Sequence, residues 1–357
     1  MRRMLRWALR IVVGAALLLV LACLLVLAWR GFRQHQIAER LRITTPDGVQ
    51  EAGFVRIGGV DQWVQIRGEH RSNPILLFVH GGPGFAASPF TPVFRNWEKR
   101  FTLVQWDQRD AGRTYSRNGG QPLSIDQVTR DGLEVADHIR RRLGQPQVIV
   151  LGHSWGSAVA LNMIHRRPDL FSAYVGTGQM DDRDDQEAAS YAMVLARAKA
   201  ARNATAVTEL EKLGPPPYKG LAGLLVERRW LAVYDTPAER NLFKVMTPVV
   251  FYAPDQSLRE LYDFNAAPKV AQPAAYGDVA RFNARSLGLS FAVSMFVFEG
   301  DQDILTPPAP TQRWLDQLQA PRKALVLLKG GGHDAVFSMP DAFLAELDAR
   351  VRPVAVR

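Results

Sequence analysis

The chain has 357 residues, 47% of them hydrophobic and 22% charged, with 28 glycines and 22 prolines. These proportions exclude wholesale disorder, collagen-like repeats and low-complexity polymers, and the length allows about two units of roughly 150 residues or one large α/β domain with an insertion. The net charge of +9 is local: residues 1–42 hold eight arginines and one acid, while the rest of the chain carries 36 bases and 34 acids, so a basic groove for nucleic acid is not supported.

Ile11 to Trp29 is a run of 19 uncharged residues. As a helix it spans about 29 Å, close to a hydrocarbon core. Trp7 and Trp29 suit the two interfacial zones. The expectation is a membrane-spanning anchor over 1–30. A cleaved signal peptide ending at Val26-Leu27-Ala28, or a lipid on Cys23, fits less well because the apolar run continues through both sites. Cys23 is the only cysteine, which excludes an internal disulfide and a cysteine-based zinc site. Arginines are balanced on the two sides of the run. The free amino terminus and Glu39 tilt the count toward an N-terminus inside and a body outside the cytoplasm.

Residues 31–50 read as a polar tether. Phe54–Ile57 and Gln62–Ile66 alternate around Gly58-Gly59, which predicts a hairpin. Ile75–Val79, Phe101–Trp106 and Val148–Leu151 are continuous apolar runs, the mark of strands buried on both faces. Ser124–Leu143 has helical spacing and stops at Gly144. Ser157–Arg166 reads as a helix. Ala173–Val175, Val293–Phe298 and Ala324–Leu328 read as strands, and Pro340–Arg350 as a closing helix. Alternating strands and helices predict an α/β fold, a mostly parallel sheet with helices on both faces. Between 181 and 290 the alternation gives way to helical stretches (Glu187–Arg202, Ala222–Val233) broken by Pro215-Pro216-Pro217. An inserted helical cap is expected there, set into a core of residues 51–180 and 291–357.

Gly152-His153-Ser154-Trp155-Gly156 places a G-x-S-x-G pattern between a buried strand and a helix. That context makes Ser154 the candidate nucleophile, raised on a sharp turn. A serine needs a base, and the base an orienting acid. Of seven histidines, only His333 follows Ser154 by more than 11 residues, as the chain order on such folds requires. Asp303, in Gly300-Asp301-Gln302-Asp303, is the chosen acid, with Asp301 as a turn-capping neighbour and Asp181 and Asp182 as rivals. The oxyanion donors are assigned to the Trp155 N–H and the Gly82 N–H, with Gly81 as the near alternative. His80 is expected to hold its own loop, and His153 to pack around the turn.

These residues resemble the α/β-hydrolase superfamily, and within it the prolyl iminopeptidase-like branch. The likeness rests on His80-Gly81-Gly82-Pro83-Gly84, Asp107-Gln108-Arg109, Gly152-His153-Ser154-Trp155-Gly156-Ser157, and Gly300-x-x-Asp303 with His333. It covers roughly residues 50–180 and 293–350. It implies a Ser154–Asp303–His333 triad, an acyl-enzyme, no cofactor or metal, and release of N-terminal proline from short peptides. Asp110 stands where the branch has glycine, and Asp107 with Arg109 is expected to form an ion pair. The branch's Trp-x-x-Trp-Glu motif, which supplies a carboxylate for the substrate's ammonium, is missing. The stretch from Trp230 to Asp235 has a different spacing. The acidic cluster Asp181, Asp182, Asp184, Asp185 and Glu187 is the remaining source of such a group.

The leading expectation is therefore a membrane-anchored serine hydrolase. A carboxylesterase or amidase for a small, lipophilic substrate is the alternative, and a non-catalytic binding protein on the same fold the second. Trp230, Tyr234, Phe251, Tyr252, Tyr262 and Phe264 could line a pocket in the cap or form its own core.

Overall fold

The computed structural model describes residues 2–355. It opens with α1 (Arg2–Arg40), a single uninterrupted helix. The apolar part of α1 is wholly exposed in the isolated chain. The expected tether is thus helical through Arg40. The reason lies in its contacts. The buried Arg30 guanidinium donates to the carbonyls of Phe251 (2.9 Å) and Gln256 (2.6 Å), and Gln34 donates to Ala253 O and Gln256 O.

Eight strands follow: β1 (Val49–Ile57), β2 (Val60–Gly68), β3 (Ile75–Val79), β4 (Thr102–Asp107), β5 (Val148–His153), β6 (Phe171–Thr177), β7 (Ser294–Gly300) and β8 (Lys323–Leu328). They form one sheet in the order β1-β2-β4-β3-β5-β6-β7-β8. The β1–β2 and β2–β4 pairs are antiparallel and the rest parallel. The sheet core is covered on both faces, so β3, β4 and β5 are buried at every position and need no polar alternation. Successive side chains point to opposite faces. Ile75, Leu77 and Val79 join one apolar cluster with Val135 and Val159, while Leu76 and Phe78 join another with Phe94, Trp97 and Phe343.

The helices α2 (Gly112–Asn118), α3 (Ile125–Leu143) and α4 (Trp155–Arg166) belong to the first half of the body. Helix α3 begins where Ser124 accepts a hydrogen bond from the Gln127 N–H and ends on Gly144 in the left-handed region, both as the residue types require. Between β6 and β7 lie α5 (Arg183–Ala200), α6 (Ala204–Leu213), α7 (Gly220–Tyr234), α8 (Pro237–Phe251) and α9 (Leu258–Arg281). Helix α9 carries Pro268 and Pro273 inside it, residues that normally end a helix. It persists because a capping box of Ser257 and Glu260 starts it, and because Phe264, Ala267, Ala271 and Ala275 are buried. The chain closes with α10 (Pro308–Gln317), α11 (Ala335–Ser338) and α12 (Pro340–Glu346), the last running through a π-helical turn (Leu347–Val351) into α13 (Arg352–Ala355).

The expected Asp107–Arg109 ion pair is not formed. Arg109 pairs with the fully buried Asp131 of α3, which also accepts from Gln62 and Gln127. Asp107 instead accepts from the Arg113 N–H at 3.0 Å. The exchange follows from position: Arg109 lies past the end of β4 and reaches back under the β1–β2 turn, where it also bonds Gly58 O. Arg109→Ala would leave the Asp131 charge buried without its partner. A loss of about 3–5 kcal/mol is expected, read as a drop in the urea midpoint.

Candidate active site

The turn from β5 into α4 lifts Ser154 to the carboxyl edge of the sheet, with φ 52° and ψ −123°. Positive φ in a residue bearing a Cβ is strained, and the surrounding packing holds it. A Cβ on Gly81 would stand 2.9 Å from Ser154 Cβ and 2.6 Å from His153 Nδ1. The glycine loop therefore reaches the serine only because that position is bare.

Three elements far apart in sequence converge here. His333, in the loop between β8 and α11, places Nε2 3.0 Å from Ser154 Oγ. Its Nδ1 is 2.9 Å from Asp303 Oδ2. The fully buried Asp303 is bonded on both oxygens: Oδ1 accepts from the N–H groups of Leu305 (2.7 Å) and Thr306 (2.9 Å), and Oδ2 accepts from Thr306 Oγ1 (2.8 Å). The structure thus joins the three residues singled out in the sequence by one hydrogen-bonded chain. Burial alone lowers the His333 pKa, but the charge and hydrogen bond of Asp303, with Asp334 and Glu299 adding to them, carry it up to about 9. A base at this position takes the serine proton only when neutral. Activity at Ser154 is therefore expected to climb with pH through about 9, roughly tenfold per unit below it, in a kcat/KM profile taken with an uncharged acyl ester. A plateau already reached at pH 6 would assign the acid limb to another group.

Trp155 is the first residue of α4, so its N–H has no acceptor within the helix. Gly82 sits in the loop after β3 with φ 39°. His80 holds that loop. Its Nδ1 bonds Gly81 O (3.0 Å), while Nε2 accepts from the Gln108 N–H (3.1 Å). Burial depresses its pKa to about 4, so it stays neutral. The side chain of Gln108 bridges His80 O (2.9 Å) and Trp155 Nε1 (3.0 Å). The central residue of the Asp107-Gln108-Arg109 triplet therefore ties the glycine loop to the serine turn, a role that its flanking charges obscured. Gly84, at φ 87°, meets α9: a Cβ there would lie 2.8 Å from Pro268 Cα.

The remaining candidates are engaged elsewhere. Asp301 accepts from the Gly330 N–H. Asp181 is buried against Thr311 and Gln186. Asp182 caps α5 and bonds Asn283. Asp185 pairs with Arg313, Glu187 with Arg183 and Arg228, and Asp184 is exposed. His153 packs beside His333, 3.3 Å from Asp334 Oδ1, with its ring nearly perpendicular to that of Phe337. Of the insertion's aromatic residues, Phe251 and Tyr252 meet α1, Phe264 packs on Phe85, Trp230 bonds Glu209, and Tyr262 is exposed.

One carboxyl group missed in the sequence, Glu239, stands at this site, and another set aside there for its spacing, Asp235, lies near enough for its charge to act on Asp303 and His333. Glu239, in the first turn of α8, accepts from the Asp334 N–H at 3.2 Å. A Cβ on Gly332 would fall 2.3 Å from Glu239 Cγ. Burial, reinforced by the charge of Asp334, pushes the Glu239 pKa up to about 8. Burial also raises that of Asp235, with Asp303 and Asp334 contributing. The available signal was Thr236-Pro237-Ala238-Glu239, a helix-start pattern in which Thr236 does accept from the Glu239 N–H. Among the described residues no three His, Cys or acidic side chains are grouped to hold a metal ion.

A model of the alpha/beta hydrolase family matches residues 76–346. The chain is 27% identical over 306 residues to the Bacillus subtilis protein named Probable aminopeptidase YbaC, covering 83% of this chain and 94% of that one. It is 31% identical over 130 residues to the proline iminopeptidase of Neisseria gonorrhoeae, a match spanning 36% of this chain and only 39% of that protein. Among solved structures, the proline iminopeptidase-related protein from Thermus thermophilus aligns with a TM-score of 0.61 at 18% identity, covering 86% of this chain and 99% of that one. A bacterial membrane phospholipase A aligns with a TM-score of 0.61 at 14% identity, over 98% of this chain and 99% of its own. Both structural likenesses are of fold.

Proposed function

Because the chain belongs to the alpha/beta hydrolase family, we propose that it is a membrane-anchored serine hydrolase working through an acyl-enzyme on Ser154. The observation that carries this reading is the hydrogen-bonded chain Ser154–His333–Asp303. His333 takes the hydroxyl proton as Ser154 attacks the carbonyl, then returns it to the leaving group. Asp303 orients the ring and stabilises the imidazolium. The N–H groups of Gly82 and Trp155 receive the oxyanion, and water resolves the ester.

For the substrate, we propose a short peptide or arylamide with a free amino terminus, prolyl substrates included. The helices of residues 181–290 act as the cap, and they bring Glu239 onto the His333 loop, where it accepts from the Asp334 N–H. A neutral Glu239 at the empty site ionises when an ammonium ion comes beside it. That supplies the carboxylate that the missing Trp-x-x-Trp-Glu motif would have provided. The likeness over most of both chains to a protein named Probable aminopeptidase agrees. Helix α1 serves as a single-pass anchor, with the body outside the cytoplasm. A second reading, hydrolysis of a lipophilic ester, is favoured by the direct attachment of the cap to that apolar helix.

Labelling of the membrane fraction with a fluorophosphonate, followed by hydrolysis of a proline arylamide and a short acyl ester, tests both. Labelling with preference for the arylamide supports the aminopeptidase. Labelling with preference for the ester selects the second reading, and folded protein that takes no label is a binding protein. Glu239→Gln is expected to raise KM for the arylamide about 10- to 100-fold, the scale of one charged hydrogen bond, and to penalise the ester far less. Equal effects on both would remove Glu239 from amine recognition.

A further inference from the structure

We propose that the corner joining α8 to α9 rests in the headgroup layer of the bilayer that α1 enters, with Leu258 and Tyr262 against lipid. This rests on the reading of α1 as an anchor. The apolar run ends at Trp29, and the next residue, Arg30, is buried at 6% exposure. Its guanidinium donates to Phe251 O and Gln256 O, and Gln34, one turn on, donates to Ala253 O and Gln256 O. Arg30 also lies 5.4 Å from the Phe251 ring centroid, and Arg33 5.8 Å from that of Tyr252. The corner is therefore fixed to a rigid helix at a known distance from the end of its apolar stretch. Arg30 to Gln34 covers about 6 Å of helix, and each interfacial layer is about 5–8 Å deep. The carbonyls these two residues hold lie at that depth.

What the corner exposes suits such a place. Leu258 is 50% exposed and Tyr262 71%. They lie four residues apart, on one face of α9. Arg259, between them, is exposed and pairs with Asp263. Exposed apolar residues occur singly on any surface, but this pair begins two residues after a carbonyl held by Arg30. A tyrosine with an apolar body and polar tip, beside an arginine, is the composition found where protein meets headgroups. There is a consequence for the site. Helix α8 is 15 residues long, about 22 Å. One end carries Glu239 over the His333 loop and the other is pinned by Arg30. The bilayer surface and the proposed amine site are thus the two ends of one helix.

The test uses the full chain in vesicles of phosphatidylcholine and phosphatidylglycerol. In a Cys23→Ser background, spin labels are placed by Leu258→Cys, Tyr262→Cys, Leu18→Cys inside the apolar run, and Leu327→Cys on exposed β8. Collision with oxygen is compared with collision with a chelated nickel ion. The proposal expects an oxygen-to-nickel ratio at 258 and 262 clearly above that at 327 and below that at 18. Ratios at 258 and 262 equal to that at 327, with 18 in hydrocarbon, overturn the corner placement and leave the anchor standing. A water-like ratio at 18 overturns the anchor itself, and the corner placement with it.

Discussion

Ser154→Ala is expected to lower kcat by about 10⁴- to 10⁶-fold while the thermal unfolding midpoint moves little. The hydroxyl makes one hydrogen bond, to His333 Nε2, worth about 1 kcal/mol to stability. Its backbone strain is set by the turn and survives in alanine. The second serine of the motif behaves differently. Ser157 Oγ donates to Ser154 O at 2.6 Å and accepts from the Met180 N–H at 2.9 Å. It is committed to holding the turn against the loop that follows β6. Ser157→Ala should keep covalent labelling by a fluorophosphonate and lose stability, and Ser154→Ala the reverse. Kinetics and melting of the two variants check this. A Ser154→Ala protein that still turns over would place the nucleophile elsewhere.

The parts legible in the sequence were those written locally. Runs such as Ile75–Val79 can only be strands covered on both faces, and these strands set the sheet. The serine turn is specified by five consecutive residues, and chain order left His333 as the candidate base, which the structure places 3.0 Å from Ser154 Oγ. Where a contact joins segments far apart, local pattern failed. Arg109 finds Asp131 because the fold brings α3 beside the segment that follows β4, and nothing near Arg109 in sequence announces that carboxylate. Glu239 and Asp334 are 95 residues apart and meet only because the insertion folds back over the body. Helix α9 was hidden for a different reason. Its two prolines argue against a helix locally, and burial of one face outweighs them. The helical continuation of α1 past residue 30 depends on the same insertion, whose carbonyls accept from Arg30 and Gln34.

Asp303→Asn carries the second large effect, and it works through a tautomer. For His333 Nε2 to accept the serine proton, Nδ1 must carry hydrogen, and that hydrogen points at Asp303 Oδ2. The other oxygen is taken by the Leu305 and Thr306 N–H groups. An asparagine would keep its carbonyl on those two donors and turn its NH₂ toward Nδ1. Two donors cannot face each other, so the ring takes the opposite tautomer and presents Nε2–H to Ser154. A fall in kcat of about 10³- to 10⁴-fold is expected, with the fold intact. The support that Asp303 gives to the imidazolium also disappears. The residual activity should then show its acid limb well below the value of about 9 that His333 has now. Asp181→Asn disturbs the bonds to Thr311, Gln186 and the Asp182 N–H, none of which touches His333, and should lose less than about tenfold, the scale of one hydrogen bond. Steady-state kinetics across pH 6 to 10 for both variants decides the matter. The reverse ranking would move the orienting acid to the turn after β6, and a large loss without a moved limb would mean that Asp303 shapes the loop and not the ring.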